Sequence, residues 1–263
     1  MNIIDFEKEA RLRREKNQYA LKYSINNLEL DKDLKEKVDR YAERYNLPKN
    51  YVYDRLKSTQ DDMVFNWFEK DPAKQNIYEM LQLEFVQKIE KETRLINWVK
   101  KLPASWKNAK YIREWKIVYI PNNKKEDLKS LDFYRNYKFQ WNILEFYTTC
   151  KYTKDEWGAQ DNQSNDVITT FKEALKITNN DLFFIALIDG KYYHENHEKR
   201  NNLDFLKYLN SFWYNNKRCI AVDCDWLFEI IKQEIIKWLN SLKIDNNTIN
   251  QEIERISSLE LVD

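Results

Sequence analysis

Only two of the 263 residues are glycine, and this scarcity is the strongest constraint on what the chain can fold into. Dinucleotide-binding motifs of the G-x-G-x-x-G type and phosphate-binding Walker loops each need several glycines, because the backbone must approach a phosphate closely. The chain also has only two histidines, His194 and His197, which argues against a histidine-based metal cluster. The composition therefore excludes nucleotide-cofactor chemistry that depends on a glycine-rich loop.

The remaining composition is that of a globular protein. Hydrophobic residues make up 43% of the chain and aromatic residues 15%, enough for one large or two modest domains. No apolar run reaches the roughly 18 to 20 residues of a membrane span, and the first residues lack a signal-peptide pattern, so we expect a cytoplasmic protein without membrane contact. The net charge of +1 does not by itself indicate a nucleic-acid partner.

The N-terminal part has a helical pattern that runs from Asp5 to about Lys101. Apolar side chains recur at spacings of three and four, and Pro48 interrupts the pattern before a second, short helix begins. A helix, a tight turn and a short basic helix are similar to a helix-turn-helix unit, in which the second helix would meet DNA through Lys49, Arg55 and Lys57. The pattern alone favours the alternative, an ordinary helical hairpin.

The C-terminal part alternates between strand-like and helical segments. Strands are predicted at 115–120, 131–134, 139–151, 182–188 and 219–222, and helices at 165–176, 202–213, 226–242 and 248–259. This order predicts an α/β fold with a mixed central sheet. We place a helical, possibly DNA-recognising region at 1–74 and the α/β core, with its C-terminal helices, at 75–263.

Two adjacent predicted strands bring Asp132 and Lys151 to one place. The order strand, strand, helix, strand after a helical lead-in resembles the PD-(D/E)XK nuclease core, and in particular type II restriction endonucleases, over about residues 75–230. In that family an Asp at the start of one strand, and an acidic residue two positions before a Lys on the next, hold Mg²⁺. Asp132 matches the first Asp, although Leu131 stands where the motif has Pro, and Lys151 matches the Lys.

Thr149 departs from the family pattern, because the family has Asp or Glu at that position. A neutral hydroxyl is a poor replacement for an anionic ligand of Mg²⁺. Glu145 lies on the same face of the strand as Thr149, but a separation of four residues puts about 13 Å between the two. The resemblance implies that Glu79, on the preceding helix, is a better substitute. Either Glu79 restores the second carboxylate, or the site is weak or inactive.

Further polar residues follow the two strands. The resemblance implies that Gln160 and Gln163, which open the next helix, contact the lysine, the attacking water or a DNA phosphate. Lys154, in the connecting turn, is a further candidate DNA-binding residue or else a solvated surface lysine. A basic and aromatic loop follows the strand at 182–188, and it would suit phosphate contacts and base stacking or else be a solvated hairpin tip. Its candidate DNA-binding residues are Lys191, Tyr193, Lys199 and Arg200.

The resemblance as a whole implies a type II restriction endonuclease that cuts double-stranded DNA with Mg²⁺. The implied metal site consists of Asp132, Glu79 and Thr149, and Lys151, Gln160 and Gln163 complete the implied catalytic set. Such enzymes cut both strands by dimerising, so a homodimer is expected. Two alternatives stay open: a catalytically weak or inactive DNA-binding adaptor on a nuclease-like scaffold, and a repair or structure-specific nuclease with little base readout.

Overall fold

Two compact units make up the chain in the computed structural model, which describes residues 5–27, 31–58, 77–103, 108–113, 116–119, 130–152, 160–212 and 218–261. One unit is Asp5–Met80, and the other is formed by the chain from Leu81 onward. The predicted boundary between residues 74 and 75 lies outside the described residues. None of the described helices is long and apolar enough to cross a bilayer.

Helices form the unit Asp5–Met80. They are α1 (Phe6–Asn26), α2 (Lys32–Arg44), α3 (Lys49–Ser58) and the start of α4 (Ile77–Thr93). Asp31 caps α2 by accepting a hydrogen bond from the Leu34 amide, which satisfies one of the free donors at the helix start. The apolar stripe predicted from the sequence packs into a small core of Ile25, Leu34, Val38, Ala42, Val52 and Leu56. Helices α2 and α3 therefore form on either side of the predicted interruption at Pro48.

The helical prediction up to Lys101 is wrong at its end. Helix α4 stops at Thr93, whose hydroxyl donates to the Ile89 carbonyl and accepts from the Leu95 amide, and Arg94 takes a left-handed φ of 52°. The chain then forms strand β1 (Asn97–Lys101), which pairs with a strand more than 30 residues later. Pairing over that distance overrides the local pattern, which is why the sequence alone did not reveal β1.

A five-stranded mixed sheet forms the centre of the second unit. Its order is β1, β4 (Phe133–Phe139), β5 (Asn142–Tyr152), β6 (Leu182–Asp189) and β7 (Cys219–Val222). Strand β4 is antiparallel to both of its neighbours, whereas β5, β6 and β7 run parallel. A separate small hairpin consists of β2 (Lys110–Arg113) and β3 (Lys116–Tyr119). The predicted α/β fold with a mixed sheet is confirmed.

Helices cover both faces of this sheet. They are α5 (Gln160–Ala174), the single turn α6 (Lys191–His194), α7 (Phe205–Ser211), α8 (Cys224–Ser241) and α9 (Asn246–Ser257). Phe171 of α5 packs edge-on against Phe184 at 6.2 Å on one face, and Trp238 of α8 packs against Tyr137 at 6.0 Å on the other. Strand β6 is buried along its whole length, which explains its continuous apolar sequence.

Candidate active site at the carboxyl edge of the sheet

The candidate site lies at the end of the sheet where β4 begins and β5 ends. This end is called the carboxyl edge, because the parallel strands have their carboxyl ends there. Because the two strands are antiparallel, with Phe133 opposite Thr148, the start of one strand adjoins the end of the other. The carboxyl ends of β6 and β7 reach the same edge, since both run parallel to β5. Asp132 and Lys151 therefore come to the same edge, which in sheets of this kind is where ligands bind.

The carboxylate of Asp132 is held by the neighbouring strand. Its Oδ2 accepts hydrogen bonds from the Cys150 amide at 2.6 Å and from the Thr149 hydroxyl at 3.2 Å. The main chain of Asp132 is fixed on both sides, because its N–H donates to the Thr148 carbonyl at 2.8 Å and its carbonyl accepts from the Leu102 amide at 2.7 Å. With 8% of its surface exposed, Asp132 is a buried and well-oriented acidic side chain.

Lys151 lies on the same side of β5 as Thr149. Alternate residues of a strand point to the same face, and two residues separate their Cα atoms by about 7 Å. The Asp132 carboxylate, which contacts Thr149, thus shares a sheet face with the half-buried Lys151. A carboxylate and an ammonium on one face could act together on one phosphate group.

Thr149 is fully buried, and its hydroxyl donates to Asp132. No group of three or more His, Cys, Asp or Glu side chains able to hold a metal ion occurs within the described residues. Mg²⁺ is commonly held by one or two carboxylates, with water and substrate phosphate completing the shell. Asp132 supplies one carboxylate. The donor set therefore fits a Mg²⁺ site of the kind that has a single protein carboxylate.

The other residues of the predicted catalytic set are only partly placed. Glu79 is half-buried in the first turn of α4 and belongs to the unit Asp5–Met80, whereas Asp132 belongs to the other unit. Helix α5 begins at Gln160, so a helix does open after β5 as predicted. The side chains of Gln160 and Gln163, and the whole of Lys154, lie outside the described residues.

The predicted DNA-binding residues of α3 differ in their surroundings. The Lys49 ammonium pairs with Glu43 at 3.2 Å and with Asp39 at 3.5 Å, and the hydrogen bond to Glu43 is the main reason that its pKa is raised. Arg55 and Lys57 are exposed in the last turn of the helix. These contacts of Lys49 tie α3 to α2, as expected for a packed helical hairpin.

The loop after β6 is folded more tightly than the sequence suggested. Tyr193 is fully buried and stacks on Phe205 at 4.9 Å, and the buried guanidinium of Arg200 lies 4.7 Å from the ring of Tyr192. Both side chains face the core and present no surface to DNA in this conformation. Lys191 and Lys199 are exposed, and Lys191 pairs with Glu195 at 3.5 Å.

A buried carboxylate at the same sheet edge was given no role from the sequence. Asp189 accepts from the Gln82 amide at 2.6 Å, from the Cys224 amide at 3.0 Å and from the Cys224 thiol at 3.3 Å. Burial raises the pKa of Asp189 to about 6. Gln82 also donates to the Lys151 carbonyl at 3.4 Å, so it links the ends of β5 and β6. The only sequence signal was the position of Asp189 at the end of an apolar strand.

A second cation lies near the start of β4. The Lys110 carbonyl accepts from the Leu131 amide at 2.8 Å, one residue before Asp132. Its ammonium lies 5.6 Å from the ring centre of Tyr147 and 5.8 Å from that of Tyr134. Tyr147 is two residues before Thr149, so Lys110 adds positive charge on the Thr149 side of the sheet. This contact could not be predicted from the sequence, because the hairpin that carries Lys110 was predicted only in part.

Comparison of the chain with protein-family models, with curated proteins and with solved structures finds no match.

Proposed function

We propose that the unit from Leu81 onward is the core of a Mg²⁺-dependent endonuclease that cuts double-stranded DNA, of the type II restriction class. The observation that carries the proposal is the contact of the Asp132 carboxylate with Thr149 and Cys150, on the strand that also carries Lys151. An acid and a lysine on neighbouring strands are the minimum that the proposed chemistry needs.

The order of elements also supports this proposal. Helix α4, strand β1, the hairpin β2–β3, strands β4 and β5, helix α5 and strand β6 occur in this order along the described chain. This is a helical lead-in followed by strands, a helix and a strand, the order on which the resemblance to PD-(D/E)XK nucleases depends. The acid and the lysine occur at corresponding strand ends, whereas Thr149 departs from the family pattern.

Each residue of the site would have a separate part in hydrolysis. Asp132 would hold Mg²⁺, which when bound polarises a phosphoryl oxygen and lowers the pKa of a water molecule. Lys151 would stabilise the negative charge that develops on the phosphate oxygens. The Cys150 amide and the Thr149 hydroxyl keep the Asp132 carboxylate in one orientation. The main-chain amides at the start of α5 would contact a neighbouring phosphate.

The experiment is a cleavage assay with supercoiled plasmid and either Mg²⁺ or Mn²⁺. We expect the wild-type protein to linearise the plasmid and D132N and K151A to be at least 100-fold slower, with DNA binding and thermal stability retained. D132N keeps an acceptor for the Cys150 amide, which limits structural damage. K138A is the matched control, because Lys138 is an exposed lysine at the opposite end of β4. Unchanged cleavage by D132N or K151A would refute the proposal.

One observation favours the second candidate, a DNA-binding adaptor with little or no catalysis. The hydroxyl of Thr149 replaces the family's second carboxylate and donates to Asp132, which leaves a single acid at the contact. An adaptor would bind plasmid without nicking it in either metal ion. The expected homodimer belongs to the restriction-enzyme proposal, because cutting both strands requires two sites, and sedimentation of the DNA complex would test it.

A further inference from the structure

Arg135, in the middle of β4, is the least expected charge in the described part of the protein. It is fully buried, and none of its three guanidinium nitrogens has a hydrogen-bond partner among the described residues. Burial lowers the pKa of Arg135 to about 10, so the side chain keeps its charge at neutral pH. A charge taken out of water without a partner is strongly destabilising, and a stable fold must compensate it.

A second unpartnered polar group lies at a position neighbouring Arg135. Arg135 lies opposite Phe146 and Phe133 lies opposite Thr148, so Arg135 and Thr148 are diagonal neighbours on one sheet face. The Thr148 hydroxyl is also fully buried and also lacks a partner in the described structure. The Phe146 ring centre is 5.7 Å from the guanidinium and faces it on one side only. An unpartnered guanidinium and an unpartnered hydroxyl thus occupy diagonally neighbouring positions on one buried face of the sheet.

Two thiols lie near this charge, and both Cys150 and Cys224 raise the pKa of Arg135 electrostatically. Burial raises the pKa of the Cys224 thiol well above its usual range, so it stays neutral, and it donates to Asp189. A water molecule would satisfy hydrogen bonds here but would leave the buried charge uncompensated. An anion would accept the hydrogen bonds and also balance the charge.

We propose that Arg135 and Thr148 bind a small inorganic anion of halide size in the core of the sheet. The anion would accept hydrogen bonds from the guanidinium and from the Thr148 hydroxyl and would balance the buried charge. The ion must be small, because Phe146, Thr148 and Cys150 are all buried around the position. This site lies on the opposite face of β5 from Thr149 and Lys151 and does not depend on the proposed nuclease activity.

Thermal unfolding in different sodium salts at constant ionic strength tests the site. We expect the melting temperature of the wild-type protein to rise with chloride or bromide relative to gluconate, which is too large to enter, because a ligand that binds only the folded state stabilises it. R135M should lose this halide dependence, and T148V should need a higher halide concentration for the same rise. R218M is the matched control, because Arg218 is near the surface and pairs with Asn180, and it should behave like the wild type.

Crystals grown in bromide provide a test that needs no variant. An anomalous peak beside the Arg135 guanidinium and the Thr148 hydroxyl would support the site, and its absence would overturn it. Equal melting temperatures of the wild type in halide and gluconate would also overturn it, as would a halide dependence that persists in R135M. If C150S lowers stability while the wild type ignores halide, a Cys150 thiolate compensates Arg135 and the anion site does not exist.

Discussion

The Gln82 side-chain amide donates a 2.6 Å hydrogen bond to the carboxylate of Asp189, and it thereby joins helix α4 to the end of strand β6. The Cys224 amide and thiol bind the same carboxylate from the start of α8. Three elements therefore meet at one buried acid. Burial outweighs these hydrogen bonds, and the pKa of Asp189 rises to about 6 from its ordinary value of 3.8.

This raised pKa predicts how stability depends on pH. Between about pH 4 and pH 6 the folded protein holds a proton on Asp189 that the unfolded chain has released. The resulting stabilisation is present below pH 4 and is lost as the pH rises through 6. We expect D189N to abolish this part of the pH dependence. The free energy of unfolding of D189N should gain up to about 3 kcal/mol relative to wild type between pH 4 and pH 7.

Urea unfolding of both proteins at several pH values in this range measures the difference. Asp223 also has a raised pKa through burial, but it is present in both proteins, so the comparison isolates Asp189. Parallel curves for wild type and D189N would contradict the prediction.

Replacing Thr149 with Asp should increase the stabilisation of the protein by Mg²⁺. T149D places a second carboxylate beside Asp132, so we expect Mg²⁺ to raise its melting temperature by several degrees more than that of wild type, and cleavage to become faster. T149V is the control, since it removes the hydrogen bond to Asp132 at a cost of about 1 kcal/mol without adding a ligand. If T149D responds to Mg²⁺ no more than T149V does, then position 149 is not a metal-binding position.

Removing the basic side chains of α3 should lower DNA affinity by amounts that depend on whether the side chain is paired. We expect the double variant R55A/K57A to weaken binding to duplex DNA and to reduce the slope of log affinity against log salt by about 2, one for each phosphate contact. K49A should have a smaller effect, because Lys49 is paired with Asp39 and Glu43. Fluorescence anisotropy at several salt concentrations measures both. Equal losses for Lys49 and the two exposed cations would argue against a DNA-reading role for this helix.

Replacing Gly190 should destabilise the protein through the conformation of its main chain. Its φ of 107° and ψ of 147° lie in a region that essentially only glycine occupies, directly after the buried strand β6. We expect G190A to lower the free energy of unfolding by about 1–3 kcal/mol. N201G is the matched opposite change, because Asn201 already has a left-handed φ of 57°, and it should be close to neutral. A neutral G190A in urea unfolding would contradict the strain argument.

The sequence predicted those parts of the fold that have a strong local pattern. Strand β7 was predicted at its observed bounds, and β6 was recognised because it is apolar along its whole length. Strand β1 was missed because its residues alternate weakly between half-buried and exposed, and because Trp98 with a φ of 61° disturbs its pairing. Weakly patterned edge strands depend on a distant partner that a local reading cannot supply.

The candidate site could be predicted only where two strands follow one another in the chain. Asp132 and Thr149 come together because β4 and β5 form a hairpin with a short turn. The contact between Gln82 and Asp189 joins residues 107 positions apart, and only the packing of α4 on the sheet determines it. Tyr193 and Arg200 were expected at a surface, but their aromatic contacts hold them in the core.

The main chain of Asp132 is bonded to Leu102 on one side and to Thr148 on the other. A residue clamped in this way cannot swing toward an approaching molecule without breaking these main-chain hydrogen bonds. Under the proposed nuclease function, the movement that brings the reacting bond into line would therefore come from the substrate. A DNA segment that is already kinked or easily bent would then meet less resistance than a stiff one.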